Sequence, residues 1–286
     1  MWKAISQVLA DQFGAYYNIK QKTPVLSGET HEAWIIDDGI QPVFVKVNEK
    51  SYRSMFRAEA DQLDLLAKSH TIHVPRVYGI GCSTTHAFLL LEAFTFQTSP
   101  LSSDMTEFGE KIAQLHQWKQ QDKYGLDFDT WLGKVHQPNE WKTNWATFFS
   151  EQRIGWQLQL CKEKNIEFGD VTHITQAIAA QLAKHNPSPA LLHGDLWAKN
   201  YGATNQGIIV YDPACYWGDR ECDIAFSELF SPFSPHFYEA YHRVYPLDEG
   251  YAQRKPIYQL YYLLNFSHRY QGEYIEKAQQ IIDLFL

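Results

Sequence analysis

The segment from residue 190 to residue 212 constrains the fold of this chain more than any other. Two short strand-like pieces, 190–193 and 207–212, interrupt a region in which apolar residues otherwise recur mostly at helical spacing. Each piece ends on a polar residue, and the loop that leaves the first piece reads HGDLWAKN. A mainly helical region is therefore predicted to contain two strands whose ends carry reactive side chains.

Three oxygen-bearing side chains are predicted to converge at this segment. Asp195 and Asn200 lie five positions apart on the loop, and Asp212 follows twelve residues later, after the second strand. Phosphoryl transfer requires a carboxylate near the acceptor hydroxyl, and an amide and a second carboxylate that hold magnesium on ATP. Hard oxygen ligands of this kind suit Mg²⁺. The three residues predict an ATP- and Mg²⁺-dependent phosphotransferase.

A lysine inside a predicted strand supplies the cation that this chemistry also needs. Lys46 stands in the middle of VFVKV, residues 43–47, which we predict to form a hairpin with residues 33–37. Glu59 follows thirteen positions later, beside the apolar face of an amphipathic helix predicted over residues 52–69. A strand lysine paired with a helix glutamate is typical of kinases. We therefore predict that Lys46 binds the α- and β-phosphates and that Glu59 holds it.

Each of these residues also has a plain structural interpretation. Lys46 alone could blunt an edge strand, and Glu59 alone could be a solvated helix residue. Asp212 precedes Pro213 and could start a turn, and Asn200 could belong to ordinary loop chemistry. The order strand lysine, helix glutamate, H-x-D-x-x-x-x-N and strand aspartate is what favours kinase chemistry over coincidence.

The remaining apolar pattern predicts an α+β protein of two lobes. A helix over residues 1–14, the hairpin with its following helix, and a buried strand over residues 87–94 predict a lobe with a small β-sheet. Beyond that strand the periodicity is mostly helical. We predict a nucleotide-binding lobe over residues 1–93 and a mainly α-helical lobe over residues 94–286 for catalysis and substrate binding.

Composition argues against several classes of partner. The 286 residues include 25 basic and 33 acidic side chains, a net charge of −8, without a Lys/Arg run that could follow a phosphate backbone. No apolar run approaches the ~20 residues needed to cross a bilayer, and the N-terminus lacks a signal layout. Four cysteines without a C-x-x-C pair predict reduced thiols. We expect a cytoplasmic protein that binds neither nucleic acid nor membrane.

The two motifs together resemble a known family. HGDLWAKN followed by DPACYWGDRECD resembles the fructosamine kinase (ketosamine-3-kinase) family, which belongs with the aminoglycoside and choline phosphotransferases, and the likeness runs over nearly the whole chain. The resemblance implies a bilobal protein-kinase-like fold and ATP-dependent phosphorylation of the sugar 3-hydroxyl in fructosamines, for deglycation repair. It implies that Asp195 is the catalytic base, that Asn200 and Asp212 bind magnesium, and that Lys46 binds phosphate.

The resemblance also indicates nucleotide contacts and two departures. LSGETHEAW carries the single glycine Gly28 where a loop that covers the phosphates is expected, and it lacks the redox-active cysteine of some family members. The segment LEAF is expected to supply backbone groups to adenine around Glu92 and Phe94. Lys199 stands where a small residue is more usual, so the charge of the loop near the phosphate is expected to differ.

Acceptor contacts are predicted next to the motifs. Trp197 could offer an aromatic face to the C–H surface of a sugar, with core packing as the alternative. Asp219 and Glu221 are candidates for contacting a substrate amine or hydroxyls, with an internal salt bridge to Arg220 as the alternative. Asp223 precedes an apolar helical run and is predicted to be an N-cap.

The residues beside the base distinguish between types of kinase. Gly194 stands where protein kinases have an arginine that pairs with a phosphorylated activation segment, which favours a small-molecule kinase. His193 is expected to orient the loop by hydrogen bonding, because Asp195 already supplies the base. Two other functions remain open: a kinase for an aminoglycoside, choline or a free sugar, and a pseudokinase-type binding module.

Overall fold

A computed structural model of the chain describes residues 1–14, 16–26 and 31–286. The described chain forms two compact units, and each unit is assembled from two separate segments. The first unit is Met1–Pro100 with Gly202–Pro213, and the second unit is Leu101–Tyr201 with Ala214–Leu286.

The segment that ends on Asp212 belongs to the first unit, although the predicted lobe boundary lies after residue 93. Strands β9 (Tyr201–Thr204) and β10 (Gly207–Val210) pair with each other as a hairpin. The hairpin is held in the first unit because the Val210 N–H donates to the His73 carbonyl at 3.0 Å. The functional roles that we assign to the two lobes remain predictions.

In the described part of the first unit, five strands form one antiparallel sheet in the order β1-β2-β3-β5-β4. The predicted hairpin is confirmed, since β2 pairs with β3. Two of the strands were not predicted, because β1 is largely exposed and carries Pro24 and β4 carries two glycines, so neither shows a strand pattern. The strands are β1 (Gln21–Val25), β2 (Glu32–Asp37), β3 (Val43–Glu49), β4 (Val77–Cys82) and β5 (His86–Glu92).

Two helices pack on this sheet. The predicted N-terminal helix is confirmed as α1 (Trp2–Phe13), and the predicted amphipathic helix is confirmed as α2 (Arg53–Lys68), preceded by a 3₁₀ turn. On β3 the valines at 43, 45 and 47 form one apolar cluster with Ile5 and Leu9 of α1. Because side chains alternate along a strand, Lys46 points to the opposite face, toward α2.

The second unit is mainly helical, as predicted. Its core is built around α9 (Tyr251–Tyr270), which is buried on nearly every side from Ile257 to His268. The other helices are α3 (Ser102–Gln117), α4 (Trp145–Phe148), α5 (Trp156–Glu163), α6 (Val171–Leu182), α7 (Glu221–Ser227), α8 (Pro235–Val244) and α10 (Glu273–Asp283), with a π-helical turn at Phe149–Gly155 between α4 and α5.

Two short antiparallel pairs complete the second unit. β6 (Thr130–Leu132) pairs with β7 (Val135–Gln137), and β8 (Ala190–Leu192) pairs with β11 (Tyr216–Gly218). β8 is the predicted strand that leads into HGDLWAKN. Among the described helices, none is both long and apolar enough to span a bilayer.

Candidate active site

Lys46 lies at the centre of a charged cluster in the first unit. Its Nζ pairs with Glu59 Oε1 and with Asp212 Oδ1. The Lys46 side chain is 4% exposed and that of Glu59 is 12% exposed, whereas the Asp212 side chain is 41% exposed. We call these three residues the lysine cluster. The predicted pairing of Lys46 with Glu59 is confirmed, and Asp212 joins it from 166 residues away.

The local sequence places the two partners of this pair. Lys46 lies opposite Ala33 of β2 and Leu89 of β5, so it stands on a central strand and not at the sheet edge. The alternative of an edge-blunting lysine is therefore wrong. Glu59 lies one turn after the buried Phe56, on the side of α2 that faces the sheet.

The electrostatics keep Lys46 charged. Burial opposes the charged ammonium, but the carboxylates of Asp212 and Glu59 outweigh it, so the pKa of Lys46 is raised above its ordinary value. Burial raises the pKa of Glu59, with the Lys46 charge acting in the opposite direction. At neutral pH the lysine cluster therefore presents a fixed cation held by carboxylate oxygens.

Asp212 has an unusual backbone. Its φ is +55°, in the left-handed region, although it is not a glycine and although Pro213 follows it. Such a conformation costs on the order of 1–3 kcal/mol and tends to be retained at functional sites. The strain and the half-exposed carboxylate make Asp212 a candidate functional residue, and the sequence pattern gives no sign of the strain.

The loop of residues 193–200, which we call the base loop, lies in the second unit and brings Asp195 and Asn200 together as predicted. Asn200 Nδ2 donates to Asp195 Oδ2 at 2.7 Å and to the Asp195 carbonyl at 2.9 Å. The Asn200 N–H donates to the Trp197 carbonyl at 3.0 Å, which closes a tight turn. Since the amide nitrogen faces Asp195, Oδ1 is the Asn200 atom that can hold a cation, and an oxygen donor fits Mg²⁺.

A buried carboxylate anchors the base loop. Asp223 is fully buried, and its two oxygens accept the N–H groups of His193 and Gly194, both at 2.8 Å. The prediction that Asp223 is an N-cap is wrong, because α7 begins at Glu221 and Asp223 lies inside it. The predicted hydrogen bonding of His193 within the loop is confirmed, since its Nδ1 accepts the Asp195 N–H at 3.3 Å.

Gly194 occupies a position that tolerates no side chain. Its φ is +78°, and a Cβ built there would lie 1.9 Å from the Ala214 carbonyl oxygen. The glycine is therefore required by the tight entry into the base loop. The arginine that protein kinases carry at this position could not be accommodated with the same backbone.

An aromatic stack supports the other side of the base loop. The Trp197 ring stacks on Phe226 with centroids 5.7 Å apart, and Phe226 stacks on Tyr262 at 3.6 Å. The Tyr262 hydroxyl donates to the Gly194 carbonyl at 3.0 Å, so the last ring of the stack is hydrogen-bonded to the base loop. Trp197 thus has the packing role that was the alternative to sugar binding, and the Lys199 ammonium lies 5.0 Å from its ring centroid. Its contact with a sugar remains a prediction.

Asp219 and Glu221 are enclosed within the second unit, each about 1% exposed. Arg254 donates to both oxygens of Glu221 at 2.6 and 2.7 Å. Tyr258 and His185 contact Asp219 Oδ2 at 2.5 and 2.7 Å. With both carboxylates buried and paired, neither residue supports the predicted contact with a substrate amine.

The predicted alternative for these two carboxylates, a salt bridge to Arg220, is wrong. Arg220 Nη1 donates to the Tyr245 carbonyl at 2.7 Å and to the Tyr241 hydroxyl at 3.2 Å, so this guanidinium serves other parts of the second unit. Asp219, Arg220 and Glu221 are adjacent in sequence, but each of them contacts different partners.

The predicted nucleotide contacts in the first unit are only partly described. Gly28 lies outside the described residues. Glu92 is the last residue of β5, and its N–H donates to the Arg76 carbonyl at 2.8 Å. Phe94 follows in the half-buried segment after the strand. Adenine binding by Glu92 and Phe94 remains a prediction.

The sheet with its buried strand lysine and the helical unit with its base loop define a phosphotransferase of the protein-kinase-like fold. Choline kinase LicA from Streptococcus pneumoniae shares that fold, with a TM-score of 0.63, 15% identity and 98% coverage of both chains. The chain belongs to the fructosamine kinase family, because the model of that family matches residues 1–286. The family and the fold that the resemblance implied are thereby confirmed.

Individual relatives agree over the full length of the chain. A "Probable ketoamine kinase" of Pasteurella multocida is 66% identical over 283 residues, which covers 99% of this chain and 98% of the relative. A crystal structure of a candidate fructosamine-3-kinase from Haemophilus somnus superimposes with a TM-score of 0.97 at 61% identity, and covers 100% of this chain and 98% of the other.

Proposed function

We propose that the protein transfers the γ-phosphoryl group of ATP to the 3-hydroxyl of fructosamines or related ketosamines. The observation that carries the proposal is the Asp195–Asn200 pair on the anchored base loop, in a chain that belongs to this family over its whole length. The product, a ketosamine phosphorylated on the carbon next to its C2 carbonyl, fits a role in deglycation repair.

Each residue has one role in this proposal. Asp195 orients the acceptor hydroxyl and accepts its proton while the new oxygen–phosphorus bond forms and the bond to the leaving ADP oxygen breaks. Lys46, steadied by Glu59, contacts the α- and β-phosphates. Asn200 Oδ1 and the Asp212 carboxylate would hold Mg²⁺, which neutralises charge on phosphate oxygens when bound.

Positioning provides most of the rate acceleration, because a phosphoryl transfer of this type needs little covalent chemistry from the protein. We expect a single in-line displacement with inversion at phosphorus. Transfer from chirally labelled ATP with retention would contradict the single step.

An acceptor panel tests the function. The protein is incubated with Mg²⁺-ATP and, in parallel, with fructosamines, ribulosamines, an aminoglycoside, choline and free sugars, and ADP formation is measured. We expect turnover of the ketosamines. Good turnover of another acceptor without any fructosamine turnover would assign the protein to a different small-molecule substrate.

The Asp195→Asn variant is the matched control for that panel. It keeps the shape of the side chain and removes the base, so we expect kcat to fall by about 10²- to 10⁴-fold with Mg²⁺-ADP binding retained. Wild-type rates in this variant would remove Asp195 from the mechanism.

A further inference from the structure

Lys199 is a cation placed between the two reactive residues of the base loop. It follows Asp195 by four positions and directly precedes Asn200. The turn closed by the Asn200 N–H and the Trp197 carbonyl puts Ala198 and Lys199 at its tip, and Lys199 is exposed. Both flanking side chains are fixed by the Asp195–Asn200 hydrogen bond, so the Lys199 backbone position is fixed relative to them.

The Lys199 ammonium rests on an aromatic ring. Its Nζ lies 5.0 Å from the centroid of Trp197, whose ring is itself held by stacking on Phe226. A cation–π contact at an exposed site is weak. A charged ligand can therefore draw the ammonium away at small cost, which is unlike the situation of Lys46 between two carboxylates.

We propose that Lys199 is a further catalytic residue, which moves from the Trp197 ring to the equatorial oxygens of the phosphoryl group during transfer. The inference rests on the proposed function. In the proposed function Asp195 contacts the acceptor oxygen and Asn200 holds the metal on the phosphates, so the group that is transferred lies next to the loop that carries Lys199. Negative charge on that group is what an added cation stabilises.

Steady-state kinetics of Lys199→Met give the first test. Methionine keeps an unbranched apolar stem next to Trp197 and removes the charge. We expect kcat to fall by about 10- to 100-fold with KM for ATP changed less than threefold, and Lys199→Arg to recover most of the rate. A rise in KM for the acceptor without a fall in kcat would overturn the proposal, because it would place Lys199 on the acceptor instead.

Lys162→Met is the matched control, since Lys162 is exposed in the last turn of α5. We expect this variant to match the wild-type rate. Equal losses in the two methionine variants would show a general effect of charge removal, and the specific role of Lys199 would be wrong.

A binding measurement separates this inference from the choice of acceptor. Aluminium fluoride with Mg²⁺-ADP mimics the phosphoryl group in transfer, and its affinity is measured by calorimetry. We expect Lys199→Met to bind the mimic at least tenfold more weakly than wild type and to bind Mg²⁺-ADP alone equally well. Equal affinity for the mimic overturns the role of Lys199. If ketosamines are not turned over but the mimic discriminates, the proposed acceptor is wrong and the role of Lys199 stands.

Discussion

The lysine cluster and the base loop are held in place by different forces. In the lysine cluster one ammonium is shared by two carboxylates, and the Lys46 and Glu59 side chains are largely buried. The base loop is held by backbone N–H groups that donate to Asp223, by a neutral tyrosine hydroxyl and by aromatic stacking.

The difference predicts how each region responds to substitution. Removing one member of a buried ion pair leaves a charge without compensation, so stability and phosphate binding should fall together in the lysine cluster. A single hydrogen bond contributes about 1 kcal/mol between neutral groups and up to about 3 kcal/mol to a charged group, and the base loop is supported by several of both kinds. A substitution in the base loop should therefore be able to lower turnover without a large loss of stability.

Lys46→Met should show the largest effect on stability. The change leaves Glu59 buried without its cation, and we expect the free energy of unfolding to fall by about 3–5 kcal/mol, measured by urea denaturation. Nucleotide turnover should be lost as well.

The double variant Lys46→Met/Glu59→Gln distinguishes the two causes. It removes the uncompensated carboxylate, so we expect it to recover a large part of the stability without recovering turnover. If Lys46→Met were as stable as wild type, the charges of this cluster would not be coupled to folding. The lysine cluster would then not depend on its buried ion pair.

Local sequence patterns predicted the elements of the site better than its long-range partners. Strand alternation and helix periodicity were sufficient to pair Lys46 with Glu59, because both signals lie within the elements that carry these residues. The contact of Lys46 with Asp212 spans 166 residues and the contact of Asp223 with the base loop spans about 30, so no local pattern contains them.

Buried acidic residues were the weakest point of the sequence interpretation. Asp223 next to an apolar helical run has the pattern of an N-cap, yet its carboxylate accepts N–H groups from a different segment. Asp219 and Glu221 have the composition of a substrate-contacting pair, and burial against Tyr258 and Arg254 gives them internal roles. Only tertiary packing decides which donor a carboxylate meets.

The pH dependence of stability should come in part from the second unit. Burial, with the charges of Lys164 and Arg269, lowers the pKa of His268 to about 4. Its Nε2 lies 2.8 Å from Gln157 Oε1, which suits a neutral imidazole donating to the amide oxygen. Since the unfolded chain takes up this proton near pH 6.5, stability should fall as pH decreases from about 6.5 to 4, by up to about 3 kcal/mol.

The variant His268→Gln isolates that contribution. Glutamine can still donate to Gln157 but does not titrate, so the loss of unfolding free energy between pH 7 and pH 5 should be smaller than in wild type. Denaturant titrations at both pH values measure it. An unchanged pH slope would assign the acid sensitivity to other groups.

Tyr262→Phe should show the smallest effect and is the sharpest test of the base loop. The variant keeps the ring that stacks on Phe226 and removes the hydroxyl that donates to the Gly194 carbonyl. We expect a loss of about 1 kcal/mol in stability and a fall in kcat of roughly two- to fivefold with KM for ATP unchanged, because the remaining anchors at Asp223 keep the loop in place. Tyr262→Leu, which also removes the stack, should cost about 2 kcal/mol more. If Tyr262→Phe were as damaging as Tyr262→Leu, the hydroxyl and not the stack would be the principal support of the base loop. The base loop would then depend on one polar contact, as the lysine cluster depends on its ion pair.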